Sequence, residues 1–196
     1  MTELLVVGAY APELVGLPDG TVAAAIGIGA VDAAAGMGMA LAKMGPARVV
    51  LIGTCGVICG AAVGDVVVIE RAVAVNGAPG VEIPDVVALS ADGDEEMVAR
   101  VAARGHARAV AACTPGVTVD DRVARALAVG AGVKVMVEHM ECFAVYRACA
   151  LAGVPVVALL AVANRIGTGA REEWRRNAQT AEAAAVAAVR KLFHDP

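Results

Sequence analysis

Two periodicities alternate along the chain: short, unbroken apolar runs, and longer segments in which apolar residues recur every three or four positions. Leu4-Leu5-Val6-Val7-Gly8 is one such run ending on glycine, the pattern of a short strand buried on both faces. Val22–Ile28 predicts a second strand, followed by an Ala-rich helix over Val31–Met44 that Gly45-Pro46 stops. Arg48–Ile52 predicts a strand closing on the turn Gly53-Thr54-Cys55-Gly56, and Asp65–Ala74 a further strand. Asn76–Asp94, rich in Gly, Pro and Asp, reads as a surface loop. Beyond it come a helix at Glu95–Arg104, a strand at Ala107–Cys113, and a helix at Asp120–Val129 that Asp120 is placed to cap. A strand at Val133–Val137, a helix at Glu141–Ala152, a strand at Val154–Ala163 and a helix over Arg171–Phe193 complete the chain. Strands and helices joined by short connections predict one α/β domain over residues 1–196, a three-layer αβα arrangement around a mixed, mostly parallel sheet.

Composition sharpens that picture. Apolar residues make up 59% of the 196 positions but aromatics only 3%, so the core is built from Ala and Val and its layers pack closely. So much apolar surface with so few large anchors points to a subunit interface, a homo-oligomer with a dimer favoured. The longest uncharged stretches, Val49–Gly64 and Ala148–Asn164, are glycine- or proline-broken and fall short of the roughly 20 residues that span a bilayer. With no basic-then-apolar leader either, a cytoplasmic protein without membrane association is expected. The five cysteines are scattered and odd in number, and none pairs with His106, His139 or His194 at metal-ligand spacing. Reduced thiols, no metal and no cofactor follow. A net charge of −4 gives no footprint for nucleic acid.

Four segments place polar groups where apolar strands end. Gly27-Ile28-Gly29 imitates part of a dinucleotide fingerprint, but Asp32 stands where the third glycine belongs, so it reads as a tight turn whose amides are open to a polar ligand. Gly53-Thr54-Cys55-Gly56 sets a hydroxyl among glycines that permit close approach, at the strand ends where ligands of open α/β sheets collect. Glu138-His139-Met140-Glu141 interrupts an apolar strand-to-helix junction with three ionisable groups, and burying carboxylates is costly unless they gain partners. Asn164 closes a strongly apolar strand, with Arg165 and Gly167 just beyond.

In this order the segments resemble the nucleoside phosphorylase and nucleosidase superfamily over nearly the whole chain. The most specific pieces are Gly53-Thr54-Cys55-Gly56, Val63-Gly64-Asp65-Val66-Val67, Met140-Glu141 and the strand end at Asn164. The resemblance implies roles. Gly8-Ala9-Tyr10-Ala11-Pro12-Glu13 matches the motif whose last acid deprotonates the attacking water, making Glu13 the candidate general base. Met140 and Glu141 match the pair that packs under the ribose and binds its hydroxyls; Thr54 matches the hydroxyl beside the nucleophile, and Asn164 the residue that activates the leaving base. Gly56, His139 and Phe143 join the expected substrate-binding set.

Breaking an N-glycosidic bond builds positive charge on the sugar and negative charge on the base, so a carboxylate near the hydroxyls and a donor to the base both lower the barrier. An Asn donates but transfers no proton, which suits the acceptor edge of a 6-oxopurine better than the amino group of adenine. Together with Asn164-Arg165-Ile166-Gly167 and the later Trp174, this resembles futalosine hydrolases, which act on a hypoxanthine nucleoside of menaquinone biosynthesis, more than methylthioadenosine/S-adenosylhomocysteine nucleosidases. Phosphorolysis needs a site for a dianion, which the phosphorylases build from arginines. Leu51 and the arginine-free segment Tyr10–Leu14 occupy the corresponding positions, which favours water as nucleophile. A methylthioadenosine/S-adenosylhomocysteine nucleosidase, a phosphorylase, or a nucleoside-binding protein of the same fold without activity are the alternatives.

Overall fold

The computed structural model describes residues 2–75, 89–130 and 132–194. Its layers follow from the two-faced apolar strands. In β1 (Leu4–Gly8), Leu5 and Val7 point to one side of the sheet and Val6 to the other. In β3 (Arg48–Cys59), Val49 and Leu51 oppose Val50 and Ile52, and β8 (Val156–Arg165) divides Leu160 and Val162 from Leu159 and Ala161 in the same way. With both faces apolar, each must be covered. Helices α1 (Ala30–Met44) and α4 (Cys142–Ala152) cover one face through Met37, Val145 and Tyr146, while α2 (Glu95–Ala102) and α5 (Ala170–His194) cover the other through Val98, Ala185 and Val189. Asp94 caps α2 by accepting from Met97 N–H at 3.0 Å, and Asp120 accepts from the Arg122 and Val123 amides at the start of α3 (Asp121–Gly130).

The sheet is mixed. β1 runs parallel to β2 (Ala23–Ala25) and β3, and β3 parallel to β8; β8 then pairs antiparallel with β4 (Val66–Ala74), which is parallel to β6 (Ala107–Cys113) and antiparallel to the short β5 (Ser90–Asp92). β6 is parallel to β7 (Met136–His139), and β7 returns antiparallel to the far half of β3. Strands β3, β8, β4, β6 and β7 therefore form a closed circuit, with register shifts at Cys55/Gly56, Val57/Cys59 and Ile69/Arg71. Such bulges bend strands tightly enough to close a ring.

Several expectations change. Val22–Ile28 contracts to the three residues of β2, because Gly27 and Gly29 at φ +104° and +84° turn the chain into α1. The predicted turn at Gly53–Gly56 is the middle of β3, which continues to Cys59 with ladder partners on both sides. Much of the predicted loop Asn76–Asp94 lies outside the described residues, and its last part contains β5. All five thiols are unpaired, and no described helix is long and apolar enough to cross a membrane.

Candidate active site

The chain leaving β1 makes one 3-10 turn, Ala11–Leu14, opened by Pro12, and that turn folds Glu13 back against the strand ends. Its Oε2 accepts from Ala9 N–H at 2.6 Å and its Oε1 from Thr54 N–H at 3.3 Å. The fit depends on glycine: a Cβ at Gly53 would lie 2.8 Å from Glu13 Oε1. Only 4% of Glu13 is exposed, and this burial pushes its pKa up to about 7; the amide donors oppose the shift and the charge of Glu141 adds to it.

A second wall comes from the junction of β7 and α4. Glu138 accepts both the N–H and the hydroxyl of Thr118, the amide at 3.0 Å, and so ties the loop before α3 to β7. His139 Nδ1 accepts from the amides of Glu141 and Cys142 at 3.1 and 3.0 Å, which caps the start of α4. An Nδ1 that accepts twice carries no proton, and burial pushes the pKa of this imidazole down more strongly than nearby Glu141 raises it. The 3.3 Å approach of Nδ1 to Glu141 Oε2 is therefore two acceptors side by side rather than an ion pair, and Nε2 carries the proton. Glu141 is held instead by its Oε1, which accepts from Gly29 N–H at 2.7 Å. The helix-start amide expected to serve a ligand is spent on this carboxylate.

The third wall is the end of β8. Asn164 stands opposite Gly56 across the β3–β8 bulge, buried, with Nδ2 donating to Arg165 O at 2.9 Å. One N–H and the side-chain oxygen remain for other partners. A Cβ at Gly56 would come within 3.0 Å of Asn164 Nδ2 and 2.9 Å of Ile166 Cγ2, so glycine is required there too. Two positions earlier on β3, Thr54 Oγ1 accepts from Trp174 Nε1–H of α5 at 3.0 Å.

These walls enclose a cavity of about 390 Å3, within the range that holds small ligands. Glu13, Thr54, Gly56, His139, Met140, Glu141 and Asn164 all line it. Phe143 does not: it lies against the groove between α1 and α4. Two residues past Glu141 is roughly 200° around a helix, so the two side chains diverge. Sequence reasoning misses Arg171 and Arg175 in the lining, places Glu138 in the ionisable junction without assigning it a role, and uses Trp174 only in the family resemblance. The signal was available in α5, where positions 171, 174 and 175 share one helix face. Among the described residues no three His, Cys, Asp or Glu side chains are grouped to hold a metal ion.

Comparison with known proteins agrees with this architecture. The sequence matches the family model described as the Phosphorylase superfamily over residues 19–194, a span that begins after Glu13. A search of the curated proteins finds no match. Among solved structures, methylthioadenosine/S-adenosylhomocysteine nucleosidase of Helicobacter pylori, complexed with an aminopyrrolopyrimidine-bearing pyrrolidinol, superposes with a TM-score of 0.88 at 14% identity, over 98% of this chain and 97% of that one. Native futalosine hydrolase of Helicobacter pylori gives 0.86 at 16% identity, covering 98% and 97%. The Neisseria meningitidis methylthioadenosine/S-adenosylhomocysteine nucleosidase with methylthio-immucillin-A gives 0.85 at 19% identity, covering 98% and 99%. At these identities the shared property is the fold.

Proposed function

The chain belongs to the phosphorylase superfamily, and from that premise we propose that it hydrolyses the N-glycosidic bond of a purine-type nucleoside, with a hypoxanthine base as in futalosine. The observation that carries the reading is the convergence of Glu13, Glu141 and Asn164, from distant parts of the chain, on one cavity at the strand ends. Glu13, with its pKa raised to about 7, is poised to take a proton from water near neutrality. The Thr54 hydroxyl, its oxygen engaged by Trp174, directs its own hydrogen elsewhere and holds that water as a donor. Glu141, anchored through Oε1, offers its other oxygen to the sugar hydroxyls and stabilises positive charge on the ring as the bond lengthens. The remaining N–H of Asn164 meets the acceptor edge of the leaving base. Met140 packs against the sugar, and Nε2–H of His139 is a further donor in the same wall.

Water is favoured over phosphate because Glu13 and Glu141 face the position from which a nucleophile attacks, where a dianion would be repelled. Leu51, in the place of a phosphorylase arginine by resemblance, is fully buried in the core. One observation favours a second reading, a phosphorylase: Arg171 and Arg175 lie on the cavity rim. A methylthioadenosine/S-adenosylhomocysteine nucleosidase would use the same walls on an adenine base. We further propose a cytoplasmic homodimer that buries the α1–α4 groove.

Incubation with futalosine, inosine and methylthioadenosine, each with and without phosphate, tests the reading. Free hypoxanthine and free sugar, independent of phosphate, are expected. Phosphate-dependent formation of a sugar phosphate would replace hydrolysis by phosphorolysis, and intact nucleosides that nonetheless bind would reduce the protein to a binding module.

A further inference from the structure

Within the closed ring of strands, Gly56 has a polar residue on either hand. It stands in register with Glu138 on β7 and with Asn164 on β8. Neighbours in register share a face of the sheet, and both side chains line the strand-end cavity. Their backbones lie two strand spacings apart, roughly 10 Å, with only the bare backbone of Gly56 between them. The loop before α3 closes this slot. Thr118 donates to Glu138 through both its N–H and its hydroxyl, its carbonyl accepts from Gly167 N–H at 2.9 Å, and the adjoining Val117 lines the cavity. The nucleophile's end is elsewhere on β3: Glu13 accepts from the N–H of Thr54, two residues and about 7 Å before Gly56.

Glu138 is buried, and both of its donors are neutral groups of Thr118. Burying a carboxylate without a cation is unfavourable, and an amide in its place would accept from Thr118 at less cost. What the carboxylate adds is acceptor capacity: with one hydrogen bond on each oxygen, a lone pair remains on each. Across the slot, the bond from Asn164 Nδ2 to Arg165 O orients the amide and leaves one N–H for an acceptor. A 6-oxopurine presents a matching edge, with acceptors at N7 and O6 followed by a donor at N1–H. Adenine reverses the last two, with a donor at the amino group and an acceptor at N1. We propose that Glu138 is the base-selecting residue, accepting the N1–H of a 6-oxopurine whose O6 or N7 is met by Asn164, so that adenine is refused. This rests on the reading of the cavity as a nucleoside site.

The test measures the binding of hypoxanthine, 1-methylhypoxanthine and adenine by titration calorimetry, and kcat/KM for inosine and adenosine, in the native protein and in Glu138→Gln. In the native protein hypoxanthine is expected to bind roughly 10- to 100-fold more tightly than either other base, the range for one hydrogen bond to a charged group, and inosine to exceed adenosine by a similar factor. Glu138→Gln, whose amide can donate to the N1 of adenine, should bring the hypoxanthine-to-adenine ratio close to one. A residue that only anchors Thr118 would weaken both bases alike and leave their ratio unchanged. Such an unchanged ratio in Glu138→Gln, or equal affinity for the three bases in the native protein, overturns the proposal. Should the variant fail to fold, 1-methylhypoxanthine against the native protein decides, since it keeps O6 and N7 and lacks only the N1–H. Selective, Glu138-dependent binding of hypoxanthine without cleavage of inosine would keep the base-selecting role and discard the hydrolase. Equal cleavage of inosine and adenosine would keep the hydrolase and discard that role, and neither binding nor cleavage would discard both.

Discussion

Two of the concavities formed by the described residues lie side by side, and the larger is the less equipped for chemistry. The groove between α1 and α4 measures about 1100 Å3, yet among the described residues Arg147 is its only charged lining residue, and Val31, Phe143 and Leu151 set its character. The strand-end cavity, at about 390 Å3, gathers three buried carboxylates, a neutral imidazole, an amide and a hydroxyl. The difference lies in how polar atoms are prepared. In the cavity each carboxylate is fixed by a backbone donor, so its remaining lone pairs are aimed before any ligand arrives, which is the condition for electrostatic catalysis. The groove has exposed apolar side chains, Val31 at 82% and Leu151 at 78%, with small residues between them, a surface suited to association. The two meet where Ile28, in the cavity lining, is followed by Gly29 and then by Ala30 and Val31 in the groove.

Glu13→Gln breaks the comparison most severely if it is right. Removing the base should lower kcat by about 10^2- to 10^4-fold while nucleoside binding by calorimetry stays within a few fold; near-normal turnover would move catalysis away from this wall. The pH profile is the next largest effect. Because Glu13 works as a base and its pKa lies at about 7, kcat/KM should fall about tenfold per pH unit below that value and level off above it. Stability should run the opposite way. A carboxyl whose folded pKa is raised from 4.5 to about 7 holds its proton in the folded state, so its contribution is complete below about 4.5 and is lost as pH rises through 7. Denaturant unfolding of the native protein against Glu13→Gln across that window measures it, and a flat difference would deny the buried acid its shift.

Smaller changes sharpen the contrast. Gly56→Ala pushes a methyl into Asn164 and Ile166 and should cost roughly tenfold or more in kcat/KM, since misplacing a positioned group is expensive. In the groove, Gly38→Ala meets nothing within 4 Å and should stabilise the monomer by up to about 1 kcal/mol through helix propensity, seen as a raised thermal midpoint at low protein concentration. Val31→Glu should weaken self-association, measured by sedimentation; an unchanged oligomer would place the interface elsewhere.

The same contrast explains what the sequence made legible. The β1, β6 and α1 segments are continuous local patterns, and they stand where periodicity places them. Glu141 and Asn164 are each polar at the end of an apolar run, an anomaly visible without coordinates, whereas Glu13 is marked only by the family resemblance of Gly8–Glu13. The strand character of Gly53–Gly56 was hidden, because glycines read locally as a turn and are explained only by Glu13 and Asn164, about forty and one hundred residues away in sequence, filling the space a Cβ would occupy. The closing of β3, β8, β4, β6 and β7 into a ring depends on bulges with no composition of their own. Arg171 and Arg175 look like any solvated pair on a polar helix until Trp174 is seen anchored to Thr54.

The most direct measurement follows the oxygen. Incubation of the native protein with a hypoxanthine nucleoside in 18O-labelled water, without phosphate, is expected to release free hypoxanthine and an equal amount of sugar carrying the label at its anomeric hydroxyl, with both products absent in Glu13→Gln. Release of base at an undiminished rate in Glu13→Gln, or an unaltered nucleoside after prolonged exposure, would contradict a water activated by Glu13 and attacking beside Glu141.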